Sequence, residues 1–383
     1  MCEERCDLLI VGGSFSGLVA ARTAAMRGLD VVVLETKAEA GARIATTGIL
    51  VKEAAEEIEV PHQLTRHVHG VRLYAPSLRH VDLFSPGSFF LTTDTANLLR
   101  WLAEEASRAG ARIKYGKRFG GAERRGHRFR VPALDLSARY VLGADGVRST
   151  VAKCFGLGRN ERYLVGVEAE YEMLDAVDRR FLHCFIDRNL APGYLAWVAP
   201  GPQVVQVGLA TSAGHRPNLS AFLARTESMF RFSRAHVIER RAGRIPAGGL
   251  VRPWSARGVL LIGDAAGMVS PATGGGIRLA FQFARRAAHA IADHLLHLGP
   301  APETVLAREL PRFGLKRLMR AGLDLAPPNL LLNTAIATPP MRWLATHIYF
   351  HSRGAKGLSF TEFEARIAAC NDDGLSSAQR GTA

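Results

Sequence analysis

At 383 residues and 48% hydrophobic content, the chain is long enough for two domains and a large core, and ordinary in composition for a soluble globular protein. Its formal net charge of +14 comes almost wholly from arginine; it suits an anionic membrane surface, an acidic substrate or a generally basic exterior, and no nucleic-acid motif or basic run interleaved with aromatics accompanies it. The five cysteines (2, 6, 154, 184, 370) are scattered without a CxxC, no apolar stretch reaches the length of a membrane span, and the charged opening Cys2–Asp7 does not read as a secretory leader, so reduced thiols in the cytoplasm are expected and a disulfide framework, metal site or transmembrane anchor is not.

The first element is the stretch Cys6–Glu35. Its apolar run Leu8–Val11 suits a strand buried on both faces and ends at Gly12 and Gly13. An Ala-rich helix, Leu18–Met26, closes at Gly28, where a left-handed C-cap is wanted. A second apolar run, Val31–Leu34, ends on Glu35. Strand, helix and parallel strand make the opening unit of a dinucleotide-binding fold. Gly12 lets the chain turn out of the strand, the loop Ser14-Phe15-Ser16 delivers N–H groups to a pyrophosphate, and Gly17 allows close packing. Ser14 stands where such loops usually carry a middle glycine. The acid Glu35, followed by Thr36, lies at the spacing expected of a ribose ligand. A glycine-rich turn in some other α/β protein is the plainer alternative.

Beyond it, RIATTG (Arg43–Gly48) holds Arg43, either a cation that meets a phosphate or a surface arginine. Leu50–Val60 is expected to be helical, and Val68–Phe90, alternating and broken by Pro76 and Pro86, reads as hairpin material. Thr95–Ala109 is an amphipathic helix, Ala111–Tyr115 a strand, and Phe119–Val131 a basic hairpin. In YVLGADGVRST an apolar strand ends at Gly143-Ala144-Asp145-Gly146, either a ligand-facing acid or a capped tight turn. Alternating runs at Leu164–Tyr171, Arg180–Ile186, Tyr194–Val198 and Gln203–Ala210, with a helix at Leu219–Phe230, form a separate antiparallel sheet. Tyr194 and Trp197 either line a pocket there or are ordinary sheet core.

The strand Gly258–Ile262 returns to the first domain and leads into Gly263-Asp264-Ala265-Ala266-Gly267, Pro271 and Gly274-Gly275-Gly276-Ile277, then a long helix with a small-residue face. Asp264 can accept bonds from sugar-alcohol hydroxyls, and the glycines place bare N–H groups beneath a ring system that becomes anionic on reduction. Arg308, Arg312, Lys316 and Arg320 recur every fourth residue beside Leu306, Leu310, Phe313 and Leu318, with Pro311 bending or restarting the helix. Pro327–Phe350 is apolar and Pro-broken; it suits a bilayer interface or a packing segment equally. The expected architecture is therefore α/β: a Rossmann-like domain with a parallel sheet (1–67, 91–160, 255–300), an inserted antiparallel-sheet domain (68–90, 161–254), a helical C-terminal region (301–369) and a disordered tail (370–383).

VGGSFSG with Glu35, GADGVRST and GDAAGMVSPATGGGI, in that order, resemble the FAD-dependent flavoproteins that include geranylgeranyl reductases and aromatic hydroxylases of the p-hydroxybenzoate hydroxylase type. Gly267 after the two alanines, where hydroxylases usually carry histidine, and GYLAWVAP favour the reductase branch. The resemblance covers about residues 6–290. It implies that Gly12, Gly13, Ser14, Phe15, Ser16, Gly17, Glu35, Thr36 and Arg43 hold the ADP half of FAD, with Asp145 and Gly146 near its centre. Gly263, Asp264 and Pro271 would hold the ribityl–pyrophosphate region, and Gly274, Gly275, Gly276 and Ile277 would face the isoalloxazine ring. Thr47, Tyr194 and Trp197 would line the substrate channel; no residue announces itself as the proton donor, and either Tyr194 or solvent could serve. Such reductases often carry Cys-Gly where this chain has Thr46-Thr47-Gly48, and an arginine where it has Thr95. The implied activity is saturation of C=C bonds in an isoprenoid or other apolar substrate, with electrons from NAD(P)H or ferredoxin bound transiently and, for a lipid substrate, peripheral contact with the inner face of an anionic membrane. The alternatives are an FAD monooxygenase or halogenase, against which the missing histidine and the absent halogenase-type lysine and double tryptophan count, and a non-catalytic anion-binding module. Oligomeric state is not legible.

Overall fold

The computed structural model describes residues 3–350. Leu8, Leu9 and Ile10 are fully enclosed, as a run apolar on both sides requires. Their strand, Glu4–Val11, pairs in parallel with Val31–Leu34 on one side and Leu136–Gly143 on the other. Val259–Leu261 continues the parallel order beyond Leu136–Gly143, and Arg112–Lys114 does so beyond Val31–Leu34. Val11 lies opposite both Leu34 and Gly143, and Gly143 opposite Leu261, so the four central strands end on one line. The loops after them open at the same edge of the sheet. Helix α1 (Phe15–Met26) follows the first strand.

The segment after Glu35 departs from expectation at Leu50–Val60. Ile49–Val51 is a strand paired with Phe90–Thr93, and α2 is a single turn, Lys52–Ala55. The β-branched Ile49 and Val51 favour pairing, and Leu50 is fully buried in it. The hairpin material likewise divides between two sheets. Thr65–Val68 joins Phe90–Thr93, whereas Gly70–Tyr74 and His80–Phe84 pair with each other at the edge of the large antiparallel-type sheet. The Arg72 guanidinium donates to both Asp82 carboxylate oxygens, at 2.7 and 2.8 Å, across that hairpin. Helix α3 (Thr95–Arg108), capped by Asp94, packs on α1.

The seven-stranded sheet runs in the order Val237–Pro246, Tyr163–Tyr171, Val205–Ser212, Ala196–Pro200, Phe181–Phe185, Gly70–Tyr74, His80–Phe84. After α4 (Thr150–Cys154), α5 (Leu219–Phe230) seals one of its faces with Phe222 and Phe230 against Ala196, Val198, Val207 and Leu209. Leu164 and Ala210, with Tyr194, Trp197 and Ile245, occupy the other face. The chain then returns through Val259–Leu261 to α6 (Ile277–Leu295), which packs along α1; Phe15 meets Phe281 edge-on at 5.6 Å.

Four helices follow: α7 (Pro302–Ala307), α8 (Gly314–Asp324), α9 (Asn329–Ala335) and α10 (Pro339–Phe350). The four-residue basic stripe is not one helical face. Pro311 interrupts it, Arg308 and Arg312 fall outside the helices, and Arg320 is buried rather than solvated. The expected continuation of the helical region to 369 and the tail 370–383 lie outside the described residues.

Candidate functional site

The aligned strand ends bring the three glycine-bearing signatures together. Gly12 has φ +106° and lies so close to the next strand's loop that a Cβ there would overlap the Ala144 carbonyl oxygen. A Cβ on Gly17 would overlap the Gly12 carbonyl oxygen, so α1 can start against its strand only with glycine there. Ser16, buried at the start of α1, packs against Gly263, and Gly276 at the N-cap of α6 lies beside Asp264. The N-termini of two long helices thus come together at the edge of the sheet where the central strands end. Neither N-cap residue, Ser14 or Gly276, makes a side-chain capping bond, so both ends keep backbone N–H groups for an anion.

The three acids of the signatures have different surroundings. Glu35 is buried, and its Oε2 accepts the Gly13 N–H at 2.7 Å while Oε1 accepts from Lys37 N and Thr36 Oγ1. It ties the first two strand ends together. Asp145 spends its carboxylate on α4: Ser149 Oγ donates to Oδ1 at 2.6 Å, and Thr150 and Val151 N–H donate to Oδ2. The capped-turn alternative therefore describes its side chain, and what Asp145 brings to the groove is backbone against Gly12. Burial lifts its carboxyl, and these hydrogen bonds pull it back. Asp264 lies in the open groove floor, reachable by solvent, yet enough protein crowds it to push its carboxyl up to about 6. Solvent access makes that value an upper bound.

Of the remaining expected residues, Phe15 turns its ring into the core and can offer only backbone. Arg43 is exposed with φ +45°, Gly146 lies in the Asp145 turn, and Pro271 is buried below the glycine run. Gly274 N–H and Ser270 carbonyl, and Ser270 N–H and Gly275 carbonyl, bond reciprocally and fold Gly274–Gly276 into a compact turn before Ile277. Asn160, which carried no signal in the sequence, bridges two signatures by donating to the Asp264 carbonyl at 2.8 Å and the Val147 carbonyl at 3.4 Å.

Tyr194 falls in a turn just before its strand. Its hydroxyl donates to the Thr273 carbonyl at 2.5 Å, and a Cβ on Gly274 would lie 2.6 Å from that hydroxyl. The apolar sheet face therefore meets the glycine run at this point. Burial raises the Tyr194 phenol well above its ordinary value, so it stays protonated. Thr47 and Trp197, from different parts of the chain, both bond to Glu168, an acid the sequence reading did not single out. Among the described residues no cluster of three His, Cys, Asp or Glu is placed to hold a metal ion, and no helix is long and apolar enough to cross a membrane.

Residues 5–308 match the family model described as an FAD binding domain. A digeranylgeranylglycerophospholipid reductase of Methanothrix thermoacetophila is 31% identical over 321 residues, covering 80% of this chain and 82% of that protein. A geranylgeranyl bacteriochlorophyll reductase-like structure from Thermoplasma acidophilum superposes with a TM-score of 0.78 at 22% identity, over 95% of this chain and 96% of that one. The p-nitrophenol 4-monooxygenase of Pseudomonas putida superposes at 0.67 with 15% identity, over 96% and 98% of the two chains, and so shares the fold.

Proposed function

Because this chain belongs to the FAD-dependent oxidoreductases of the geranylgeranyl reductase and aromatic hydroxylase superfamily, we propose that it saturates carbon–carbon double bonds of an isoprenoid or similarly apolar lipid. FAD is its cofactor, and the residues present fit it: two unblocked helix N-termini, a glycine cradle that a Cβ would fill, and Asp264 free to accept hydroxyls. Bound and reduced, FAD supplies a hydride for one alkene carbon. The observation that carries the reading is the junction at Gly274, where an apolar face of Leu164, Trp197, Ala210 and Ile245 ends at the cofactor groove under the Tyr194 hydroxyl. Segments 68–90 and 161–254, which build the seven-stranded sheet, form the substrate unit, with the face not covered by α5 toward the substrate. Electrons arrive from NAD(P)H or a ferredoxin by transient contact.

Tyr194 keeps its proton in a hydrogen bond to a backbone carbonyl, so it is a wall and an anchor of the glycine turn; the proton for the other alkene carbon comes from solvent or another group. The test is anaerobic. Protein reduced with dithionite should be reoxidised by a polyprenyl alkene, with mass spectrometry showing two hydrogens gained per bond. An alkene left untouched, with one oxygen atom incorporated only in air, would make it a monooxygenase. In the same assay Tyr194→Phe should slow reoxidation by about tenfold or less, the scale of one lost hydrogen bond; a loss of ~10²–10⁴ would identify it as the acid after all.

The C-terminal helices suit delivery of such a lipid from a bilayer. Leu315, Leu318, Leu325, Leu330 and Trp343 are each at least 68% exposed and lie among Arg312, Arg317 and Arg342, with Asp324 the acid of α8–α10. Co-sedimentation with anionic phospholipid vesicles should exceed that with neutral ones. The combined change Leu315→Ser, Leu318→Ser and Trp343→Ser should weaken it by about tenfold or more, given ~1.5–3 kcal/mol per large apolar side chain fully buried.

A further inference from the structure

Four side-chain positions lie side by side across adjacent strands of the seven-stranded sheet. Trp197 is opposite Gly208, Gly208 opposite Glu168, and Glu168 opposite Arg241. Directly opposed residues share a face. Gly208 contributes no side chain to this row, and a Cβ there would meet the indole. The gap lets Trp197 lean across a whole strand, and its Nε1–H donates to Glu168 Oε2 at 2.8 Å.

The same oxygen has a second donor from outside the sheet. Thr47 Oγ1, in the Arg43–Gly48 loop, donates to Glu168 Oε2 at 2.5 Å. Glu168 Oε1 accepts from Arg241 Nε at 2.8 Å, and Arg241 also pairs with Glu170, which accepts from Gln206 Nε2. With three donors and no acceptor facing it, Glu168 is the charged form that this geometry serves. Burial, with the neighbouring Glu170 charge, raises its carboxyl above the ordinary range; the Arg241 charge and these bonds limit the rise. The side chains of Glu168 and Arg241 are only 6% and 5% exposed, so the pair was taken out of water at a cost that hydrogen bonding must offset.

The loop is gripped from its other side too. Thr95 Oγ1 donates to the Thr47 carbonyl at 3.2 Å and Thr93 Oγ1 to the Gly48 carbonyl at 2.8 Å. The absence of a side chain at Gly243 leaves room for the Ala45 carbonyl on the sheet. Thr95, the departure from the family's arginine, is thus one clamp of the loop and Glu168 the other.

We propose that Glu168 is a positioning residue: one carboxylate oxygen docks the Arg43–Gly48 loop of the cofactor side onto Trp197 of the apolar sheet, and so fixes the substrate channel against the cofactor groove. That the channel carries substrate rests on the function proposed above; the docking itself does not. Loss of a hydrogen bond to a buried charge is worth ~1.5–3 kcal/mol, so the loop should open at least about tenfold more often without it.

The experiment uses FAD-loaded protein and trypsin, with mass spectrometry timing cleavage after Arg43, which is exposed. Glu168→Ala and Thr47→Val should each accelerate that cleavage about tenfold or more while cleavage elsewhere in the chain is unchanged. Thr47→Val removes only the loop's hydroxyl and keeps the proposal testable if Glu168→Ala fails to fold. The double change Glu168→Gln with Arg241→Met keeps an acceptor oxygen for Thr47 and Trp197 and removes the cation that would oppose the amide. Its cleavage should stay within about threefold of the parent, below the effect of one such bond. Equal cleavage of parent and Thr47→Val, or a double variant as labile as Glu168→Ala, would reduce Glu168 to half of a structural ion pair. Turnover provides the second readout: Glu168→Ala should lower kcat more than it raises KM, and the double variant should recover kcat. A parent enzyme that reduces no alkene would refute the proposed function and leave the cleavage result standing.

Discussion

Gly17→Ala should yield protein that purifies with little or no FAD. The added Cβ would be placed inside the Gly12 carbonyl oxygen, and both atoms belong to backbone that cannot rotate away. To relieve the overlap, α1 must back out of the sheet, and its N-terminus then no longer meets the loop after Val11. Movement of α1 is resisted on two sides, by α3 and by α6, with Phe15 locked against Phe281 and Ser16 against Gly263. The expected cost is ~3–5 kcal/mol, in the range of the most disruptive core substitutions. Thermal unfolding should therefore shift down by several degrees even in apo protein, and flavin absorbance per chain should fall to a small fraction of the parent's. Gly28→Ala supplies the control. Unlike Gly17 it is left-handed, at φ +83°, but nothing crowds its Cβ and it lies beyond the far end of α1. It should cost ~1 kcal/mol and leave FAD bound. A Gly17→Ala protein of normal colour and stability would mean that the close approach is not required.

This contrast shows which parts of the molecule could be read from residues alone. The strand, helix and strand of Cys6–Glu35 were legible because each local signal agreed with the next: an all-apolar run, a small-residue helix, a second run ending in an acid. The three signatures were legible for the same reason, and the structure places them at one sheet edge. Asp145 was legible as an acid between glycines, but the sequence could not say that Ser149 and two backbone N–H groups would claim its carboxylate. Leu50–Val60 was misread because its first two residues, Leu50 and Val51, pair with Phe90–Thr93, a partner some forty residues away that no local pattern announces. Glu168 was invisible for a similar reason. It is one acid in an alternating strand, and only the register that sets it between Gly208 and Arg241 gives it a role. Arg320 looked like part of a solvated stripe. Its guanidinium instead donates to the Gly193 carbonyl and pairs with Asp324 at 3.0 Å, holding α8 to the turn that carries Tyr194.

FAD affinity should fall on acidification through Asp264, and the sign follows from its surroundings. In the folded protein its carboxyl rises from the ordinary 3.8 towards about 6, with crowding as the cause and no cation offsetting it. A raised acid binds its proton more tightly folded than unfolded. Its contribution to the stability of the apo protein is therefore fully present below 3.8 and lost as pH climbs through the folded value. The cofactor asks for the opposite state, since hydroxyl donors bond best to an ionised acceptor. Binding must then release a proton wherever Asp264 is neutral, and below its folded value affinity should drop about tenfold per pH unit. Between pH 7.5 and pH 5 the dissociation constant, read from quenching of flavin fluorescence, should rise by about tenfold, or less to the extent that solvent in the groove moderates the carboxyl's shift. Asp264→Asn removes both the charge and the titration. At pH 7.5 it should bind FAD ~10–100-fold more weakly, the worth of a hydrogen bond to a charged group, and its affinity should change little across the same interval. Apo stability should move the other way, with Asp264→Asn equal to or better than the parent at neutral pH because no carboxylate need be held against the crowding. Parallel pH curves for parent and variant would place the hydroxyls of the cofactor on some other acceptor.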